Sequence, residues 1–351
     1  METGRKIKVL IVDDSTMVRK ILSAALAGQK DVEVVGTAPD PYVARTMIQQ
    51  LKPDVLTLDL EMPRMDGLTF LKMLMRHHAM PVIVISSVAQ ASCEKAIEAL
   101  RLGAVEVLGK PSGPDSVGDL RFSLATKVRA AAQAKLSRPA AAEAGAGKLD
   151  LSLPAGSDRQ IIAIGCSTGG TEALAAVLPL LPENCPGVVV VQHIPAGFSR
   201  TLARQLNQIS RIEVKEATNG DLVRPGCALI APGNFHMLVV KAPNGYCVHV
   251  KDGPPVCYQR PSVDVLFASV AQAVGKEAIG LVLTGMGVDG AQGMLRMKQA
   301  GARTMAQDEA SCVVFGMPRE AIRLNAADQV VSLHHVASAL LHAIRGGRKA
   351  A

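Results

Sequence analysis

The feature that most constrains this sequence is a regular alternation of short apolar runs and amphipathic stretches in its N-terminal part. Each run is rich in Val, Ile and Leu, and each is followed by apolar residues at helical spacing. This alternation is typical of βαβ units, which form a parallel sheet. We therefore predict a doubly wound α/β domain with a five-stranded parallel sheet, formed by KVLIVDD, VEVVGTA, DVLTLD, PVIVISS and VEVLGKP.

A change of composition separates this part from a second set of strand-like segments. Residues 137–158 are rich in Ala, Gly, Pro and Ser and lack an apolar period, which is typical of a linker. We predict domains at 1–136 and 159–351. The second is expected to be Rossmann-like α/β, with a mostly parallel sheet from RQIIAIGCS, GVVVVQH, CALIAPG and AIGLVLTGMG, and a β-hairpin from HMLVV and YCVHV.

Composition excludes several classes of function. The net charge of +7 is scattered along the chain and aromatic residues make up only 3%, which argues against nucleic-acid binding. The 7 cysteines include no C-x-x-C pair, which argues against a disulfide framework or structural zinc. No apolar run is long enough for a signal peptide or a membrane span. We expect a cytoplasmic protein without membrane insertion.

Polar side chains follow four strands of the first predicted sheet. Asp13 and Asp14 follow the first strand, Asp59 ends the third, Ser86 ends the fourth and Lys110 follows the fifth. The carboxyl ends of parallel strands converge at one edge of a sheet, and clustered carboxylates favour Mg²⁺. Asp59 could attack a phosphoryl donor while Mg²⁺ and Lys110 neutralise charge and Ser86 hydrogen-bonds the phosphoryl oxygen.

The motifs VDDS, DVLTLDLEMPRMDGLTFL, VISS and GKP resemble the receiver domain of bacterial response regulators, across residues 6–130. The resemblance implies a flavodoxin-like fold, phosphorylation of Asp59 and a sensor histidine kinase as donor. Val107 stands where many receivers have an aromatic residue, so an aromatic rotamer switch is not implied. By the same resemblance, Mg²⁺ is held by Asp14, Asp59 and the backbone carbonyl of Glu61, with support from Asp13.

The segment IIAIGCSTGG opens the second domain and fits one of three templates. It lacks the G-x-G-x-x-G spacing of dinucleotide-binding loops, and Thr171 stands where a phosphate-binding P-loop needs Lys. It does match G-x-S-x-G over residues 165–169, after a strand and before a helix. Ser167 is therefore a candidate nucleophile, although a Gly-Ser turn without a catalytic role has the same pattern.

A nucleophilic serine requires a base and an acid that orients the base. His193 ends the strand GVVVVQH, and Asp289 follows the strand AIGLVLT. A single His at a strand end is usually structural, but three triad-type residues at three strand ends favour a catalytic triad. The chain order Ser, His, Asp differs from that of the α/β-hydrolases, and geometry rather than order defines a triad.

Six segments of the second domain are similar to the catalytic domain of chemotaxis protein-glutamate methylesterases, the CheB family. They are GCSTGGTEAL, VVVVQHIPAGFSRTLARQL, GDLVRPGCALIAPGNFHM, RPSVDVLFASVA, LTGMGVDGAQG and FGMPREAI. The resemblance covers about residues 159–345 and implies hydrolysis of glutamate methyl esters on methyl-accepting chemoreceptors, with release of methanol, and deamidation of receptor glutamines. The ester hydrolysis is expected to need no cofactor.

This mechanism also predicts supporting groups around the serine. Backbone N–H groups near Thr168 and Met286 are expected to bind the oxyanion. The side chain of Cys166 is expected to point into the fold rather than serve as a nucleophile. Three further residues have either a structural role or a place in the substrate cleft: His236, Arg260 and Ser262.

The order of the two domains suggests how the enzyme is controlled. We expect the unphosphorylated receiver to cover the catalytic crevice and phosphorylation to release it. Two alternatives for the second domain are a DNA-binding module and a nucleotide-binding module. The sequence shows neither a helix-turn-helix with a basic face nor the glycine spacing of a nucleotide site.

Overall fold

A computed structural model describes residues 5–87, 89–110, 116–136, 153–154 and 159–346, without the side chains of 116–122. The chain divides into two compact units, Met1–Ala140 and Ala141–Ala351. Most of the predicted linker lies outside the described residues, so its bounds stay a prediction. Each unit is described by itself.

In the part of the first unit that the structure describes, five strands form one parallel sheet. The strands are Ile7–Val12 (β1), Val32–Ala38 (β2), Val55–Asp59 (β3), Val82–Ser86 (β4) and Glu106–Gly109 (β5). The helices are Thr16–Leu26 (α1), Pro41–Leu51 (α2), Gly67–His77 (α3), Gln90–Arg101 (α4) and Ser116–Gln133 (α5). The strand order is β2-β1-β3-β4-β5 with parallel pairing throughout. The predicted five-stranded, flavodoxin-like sheet is confirmed.

Side-chain caps define where three helices of this unit begin. Ser15 accepts a hydrogen bond from Val18 N at the start of α1. Asp40 and Asp66 cap α2 and α3 in the same way. These caps mark where the loops that follow β1, β2 and β3 end and the helices begin.

The described residues of the second unit contain ten strands in two sheets. The strands are Ile161–Cys166 (β6), Gly187–Gln192 (β7), Glu213–Glu216 (β8), Leu222–Val223 (β9), Cys227–Ile230 (β10), His236–Ala242 (β11), Gly245–Lys251 (β12), Ala278–Val282 (β13), Arg303–Gln307 (β14) and Gln329–Val331 (β15). The α-helices are Gly170–Val177 (α6), Phe198–Ile209 (α7), Val263–Ala273 (α8), Ala291–Gln299 (α9), Met317–Arg323 (α10) and Val336–Ile344 (α11). Short 3₁₀ turns occupy Leu178–Leu180, Gly275–Glu277 and Leu333–His335.

The larger sheet of this unit has seven parallel strands in the order β15-β14-β13-β6-β7-β10-β8. The predicted hairpin is confirmed as β11 and β12, which pair antiparallel and form a second, three-stranded sheet with β9. The hairpin strands reach further than the sequence pattern indicated, because Lys241, Ala242 and Gly245 pair within them.

The centre of the seven-stranded sheet determines where the functional side chains lie. Neighbouring strands β13, β6 and β7 are buried along their whole length. Their loops therefore emerge side by side at one carboxyl edge. The residue before β6 also meets the end of α11, since Gln160 Nε2 donates a hydrogen bond of 3.1 Å to Ile344 O. Within the described part of the chain, no helix has the length and apolar character required to cross a bilayer.

Candidate functional site

The structure brings the three predicted triad residues to one edge of the seven-stranded sheet. Ser167 directly follows β6, His193 directly follows β7, and Asp289 lies in the loop after β13. Their exposed fractions are only 7%, 4% and 2%. A serine, a histidine and a carboxylate at three adjacent strand ends form a constellation suited to acyl transfer.

His193 and Asp289 form the best-defined contact of this site. His193 Nε2 lies 2.8 Å from Asp289 Oδ2, which means that Nε2 carries the hydrogen and donates it. The other ring nitrogen, Nδ1, is buried and has no hydrogen-bond partner among the described residues. The neutral ring therefore keeps a lone pair on Nδ1, which is the atom able to take a proton.

Asp289 is fixed by the N-terminus of α8 as well as by the imidazole. Its Oδ2 accepts a hydrogen bond of 2.7 Å from Val263 N, and its Oδ1 accepts one of 3.0 Å from Asp264 N and one of 2.8 Å from Ser262 Oγ. Burial raises the pKa of Asp289, but His193 and the backbone N–H groups outweigh burial, and the pKa lies below its ordinary value. The carboxylate is therefore held ionised and in one orientation.

Glycines provide the space around Ser167. Gly169 has a φ of +78°, which a residue with a Cβ rarely adopts. A Cβ on Gly285 would lie 2.7 Å from Ser167 Cβ, and one on Gly165 would lie 2.2 Å from Val263 Cγ1. Ser167 N donates to Thr284 O over 3.0 Å. The turn is thus packed closely from two sides.

No hydrogen bond joins Ser167 Oγ to His193 in this structure. The Nδ1 atom of His193 has no partner among the described residues, and its Nε2 is hydrogen-bonded to Asp289. In free enzymes the contact between nucleophile and base is often long and shortens when substrate binds. An unpartnered imidazole nitrogen on the strand next to that of Ser167 is compatible with that behaviour.

The predicted oxyanion donors lie in two loops beside Ser167. Thr168 directly precedes Gly169, the N-cap residue of α6, and backbone N–H groups point out of this end of the helix. Met286 follows Gly285, whose N donates to Val314 O over 3.0 Å. Both loops are therefore anchored next to the nucleophile, while the oxyanion role of Thr168 and Met286 stays a prediction.

Two buried polar residues of this edge were not predicted from the sequence. Gln192 Nε2 donates to Ser167 O and to His193 O over 2.9 and 3.1 Å. Thr284 Oγ1 donates to Thr168 O over 2.9 Å. The signal for both is a polar residue at the end of an otherwise apolar strand, which requires hydrogen-bond partners when it is buried.

The weaker candidates take up supporting positions. His236 Nδ1 accepts a hydrogen bond of 3.2 Å from Ser262 N, and its Nε2 donates to Pro254 O over 3.0 Å. Arg260 binds Asn234 Oδ1 over 2.7 Å, and it also pairs with Asp252. Both side chains therefore hold loops around the site.

Cys166 points away from the reaction centre, as expected. The residue is fully buried, and its Sγ lies 3.7 Å from Val191 O. Burial strongly raises the pKa of its thiol. A thiol in this state is a poor nucleophile, which leaves Ser167 as the nucleophile candidate of this turn.

The predicted phosphoacceptor residues also meet at one sheet edge, in the first unit. Lys110 Nζ lies 2.8 Å from Asp59 Oδ2 and 3.5 Å from Asp13 Oδ2. Carboxylate oxygens of Asp13, Asp14 and Asp59 all lie within 4.8 Å of one another. Asp13 and Asp59 are buried, whereas Asp14 is exposed. The arrangement matches the prediction from the four strand ends.

These carboxylates suit a hard divalent cation. Burial and the charge of Asp59 raise the pKa of Asp13 to about 6, although Lys110 opposes the shift. Burial also raises the pKa of Asp59. In addition, Asp13 Oδ2 is buried and has no hydrogen-bond partner among the described residues. An oxygen-rich cluster with an unsatisfied acceptor fits Mg²⁺.

Ser86 and Glu61 complete this edge. Among the described residues, Ser86 Oγ makes two long hydrogen bonds, of 3.3 and 3.4 Å, to backbone carbonyls, so its hydroxyl can be redirected to an incoming oxygen. Glu61 N donates to Asp59 Oδ1 over 3.1 Å, while its side chain accepts a hydrogen bond of 2.6 Å from Ser92 Oγ. The Glu61 side chain is thus hydrogen-bonded to α4, whereas its backbone N–H contacts the carboxylate cluster.

Comparison with known proteins gives two family matches. Residues 162–340 match the family described as CheB methylesterase. Residues 9–119 match the family described as response regulator receiver domain. Each match includes the site residues at one of the two carboxyl edges described above.

Relatives extend over nearly the whole chain. A protein-glutamate methylesterase/protein-glutamine glutaminase 2 of Syntrophus aciditrophicus (strain SB) is 51% identical over 341 residues, covering 97% of this chain and 99% of its own. A protein-glutamate methylesterase/protein-glutamine glutaminase of Paraburkholderia xenovorans (strain LB400) is 52% identical, covering 94% of each chain. The crystal structure of the Thermotoga maritima CheB methylesterase catalytic domain is 37% identical and covers 52% of this chain and 98% of its own, with a TM-score of 0.52.

Proposed function

Because this chain belongs to the CheB methylesterase family, with a receiver domain ahead of the catalytic domain, we propose that Ser167, His193 and Asp289 are its catalytic triad. The protein is a protein-glutamate methylesterase and protein-glutamine glutaminase, which demethylates and deamidates chemoreceptors. The observation that carries the assignment is the 2.8 Å contact between His193 and Asp289, which leaves Nδ1 unpartnered, while Ser167 follows the neighbouring strand.

The first half-reaction forms an acyl-enzyme. Ser167 Oγ attacks the carbonyl carbon of the glutamyl methyl ester while His193 Nδ1 takes the hydroxyl proton. Asp289, already ionised and hydrogen-bonded to Nε2, stabilises the imidazolium that forms. His193 then returns the proton to the methoxy oxygen as the C–O bond breaks, and methanol leaves. The glutamyl group is now esterified to Ser167.

The second half-reaction regenerates the serine. His193 Nδ1 takes a proton from water, whose oxygen attacks the acyl carbon. His193 then gives this proton to Ser167 Oγ as the acyl C–O bond breaks, and the glutamic acid product leaves and releases its own proton to solvent. The N–H groups of Thr168 and Met286 would stabilise the oxyanion in both steps, at about 3 kcal/mol each if they are typical. A receptor glutamine follows the same path with ammonia as the leaving group, and no metal or organic cofactor is assigned to this site.

The receiver would control this activity through Asp59. Asp13, Asp14, Asp59 and the Glu61 carbonyl would hold Mg²⁺, which would neutralise charge on the phosphoryl group. Asp59 takes the phosphoryl group from the phosphohistidine of a chemotaxis sensor kinase, while Lys110 and Ser86 bind its oxygens. We propose that the unphosphorylated receiver restricts access to the catalytic site and that the phosphorylated receiver does not.

The assignment of the nucleophile is tested by methanol release from methylated receptor membranes. We expect Ser167→Ala to lose activity by several orders of magnitude, because the nucleophile is removed. Ser338→Ala, which alters a serine on α11, is the matched control and should retain wild-type activity. Equal rates for wild type and Ser167→Ala would refute the nucleophile assignment.

A further inference from the structure

The end of β7 carries a buried amide that contacts the main chain of two triad residues. Gln192 is 3% exposed and is the last residue of its strand. Its Nε2 donates to Ser167 O over 2.9 Å and to His193 O over 3.1 Å. One side chain thus links the carbonyl of the nucleophile to the carbonyl of the base.

Among the described residues, no backbone hydrogen bond joins Ser167 to His193. The register of β6 and β7 ends at the pair Cys166 and Gln192, and one further hydrogen bond of 3.0 Å joins His193 N to Cys166 O. Ser167 N instead donates to Thr284 O, in the loop after β13, which is the other neighbour of β6. The amide of Gln192 therefore continues the cross-strand pairing at the point where the catalytic residues leave the sheet.

The nitrogen and the oxygen of the Gln192 amide differ in their hydrogen bonding. Both Nε2 hydrogens are needed for the two carbonyl oxygens, whereas Oε1 is buried with no hydrogen-bond partner among the described residues. An unpaired buried acceptor is unfavourable, and an apolar side chain of similar size would avoid it. Packing alone therefore does not explain Gln192, but its two donors do.

Gly170 shows that the amide has a closely fitted place. A Cβ at Gly170 would lie 2.1 Å from Gln192 Oε1. Gly170 N in turn donates a hydrogen bond of 2.7 Å to Ser167 O, so this carbonyl accepts from Gly170 and from Gln192 together. Two donors on one oxygen restrict the orientation of the Ser167 peptide group.

We propose that Gln192 is a positioning residue of the methylesterase reaction, which holds the main chains of Ser167 and His193 at the separation that proton transfer requires. The proposal deepens the proposed function and rests on it. Loss of the two hydrogen bonds from Gln192 Nε2 leaves the substrate-binding surface in place but displaces the nucleophile and the base relative to each other. Misplacement of this kind lowers the rate of the chemical step by roughly 10²-fold per ångström.

The test measures kcat and KM for methanol release by full-length Gln192→Met and Gln192→Glu. The first keeps the approximate volume without donors, and the second keeps the shape but cannot donate to both carbonyl oxygens. Gln299→Glu, at the exposed end of α9, is the control for the change of charge. Rates are referred to folded protein, which is determined from circular dichroism melting, and Ser167→Ala is measured in parallel.

We expect kcat to fall by roughly 10²-fold in both Gln192 variants while KM stays within about threefold of wild type. A kcat within about threefold of wild type in a folded variant, or a change confined to KM or to the melting temperature, would overturn the positioning role. If one variant does not fold, the other decides. Wild-type activity in Ser167→Ala would instead refute the proposed nucleophile, so the two failures are distinguishable.

Discussion

Ser262 Oγ lies 2.8 Å from Asp289 Oδ1 and donates a hydrogen bond to it, while the same oxygen caps α8 by accepting from Val265 N. One fully buried hydroxyl therefore serves both the helix start and the carboxylate that orients the catalytic base. The RPSVD segment, which the sequence left between a structural and a substrate-binding role, acts on the triad through this contact.

We expect Ser262→Ala to lower both stability and activity. The loss of the cap and of a hydrogen bond to a buried carboxylate lowers the free energy of unfolding by about 1–3 kcal/mol. A less well fixed Asp289 lowers kcat by roughly tenfold, which corresponds to about 1.4 kcal/mol in the barrier. Urea unfolding and methanol release measure the two effects. Ser269→Ala, on the same helix without contact to Asp289, should lose stability only.

Asp289→Asn tests the electrostatic role of the triad carboxylate. The variant keeps the shape but removes the charge that stabilises the imidazolium, so we expect kcat to fall by roughly 10⁴-fold. The fall should appear in kcat rather than in KM, because the substrate does not contact this buried carboxylate. A decrease of less than tenfold would be incompatible with the proposed triad.

The same variant reports on the pKa of Asp289. This pKa is lowered by His193 and by backbone N–H groups, which outweigh burial, so the ionised group stabilises the fold above its unfolded pKa of about 3.9. That contribution is lost as the pH falls through the lower folded pKa. The difference in urea midpoint between wild type and Asp289→Asn should be constant from about pH 5 to pH 7 and decrease below about pH 4. A difference that grows towards low pH would contradict the sign of the shift.

Mg²⁺ and Asp59 should both be required for the response to a phosphodonor. With Mg²⁺ and acetyl phosphate, we expect the wild type to gain one acyl phosphate, detected by intact-protein mass spectrometry, and to release methanol faster. EDTA should abolish both changes, because the buried carboxylates then lose the cation that offsets their repulsion. Asp59→Asn should show neither change while retaining the unstimulated rate. Stimulation of Asp59→Asn would place the phosphoacceptor elsewhere.

Cys166→Ala separates a serine mechanism from a thiol mechanism. The Cys166 thiol is fully buried and its pKa is strongly raised, so its removal should leave kcat within about threefold of wild type. Stability should fall by about 1 kcal/mol because a core side chain is shortened. Iodoacetamide should label Cys257, the exposed cysteine among the free thiols, in preference to Cys166. Loss of activity equal to that of Ser167→Ala would contradict the assignment.

The positions of the main site residues were predictable because parallel strands end at a common edge. Ser167, His193, Asp289 and the aspartates around Asp59 each follow an apolar run, and the structure places them as that rule requires. The use of His193 Nε2 rather than Nδ1 towards Asp289 was not predictable, because it depends on the direction from which the carboxylate approaches the ring. The contacts of Gln192 likewise depend on two carbonyl groups whose orientation has no signature in the sequence.

The sequence patterns missed four strands of the second unit, which are either short or rich in polar residues: Glu213–Glu216, Leu222–Val223, Arg303–Gln307 and Gln329–Val331. Leu222–Val223 contributes only two residues to its sheet, and Glu213–Glu216 has polar side chains at three of its four positions. Both pair because neighbouring strands offer them partners, not because of their own periodicity. The long buried strands around the triad have the opposite character, and they were recognised.

The hydrogen bond between Gln160 and Ile344 joins the start of β6 to the end of α11, the first and last elements described in the catalytic unit. A short peptide could therefore bridge these ends, and new termini could be opened at the exposed hairpin turn between Ala242 and Gly245 without cutting the seven-stranded sheet. In such a circular permutant the triad would run Asp, Ser, His along the chain while each side chain kept its place. The unusual order of the triad is thus a property of how the strands are connected and not of the chemistry.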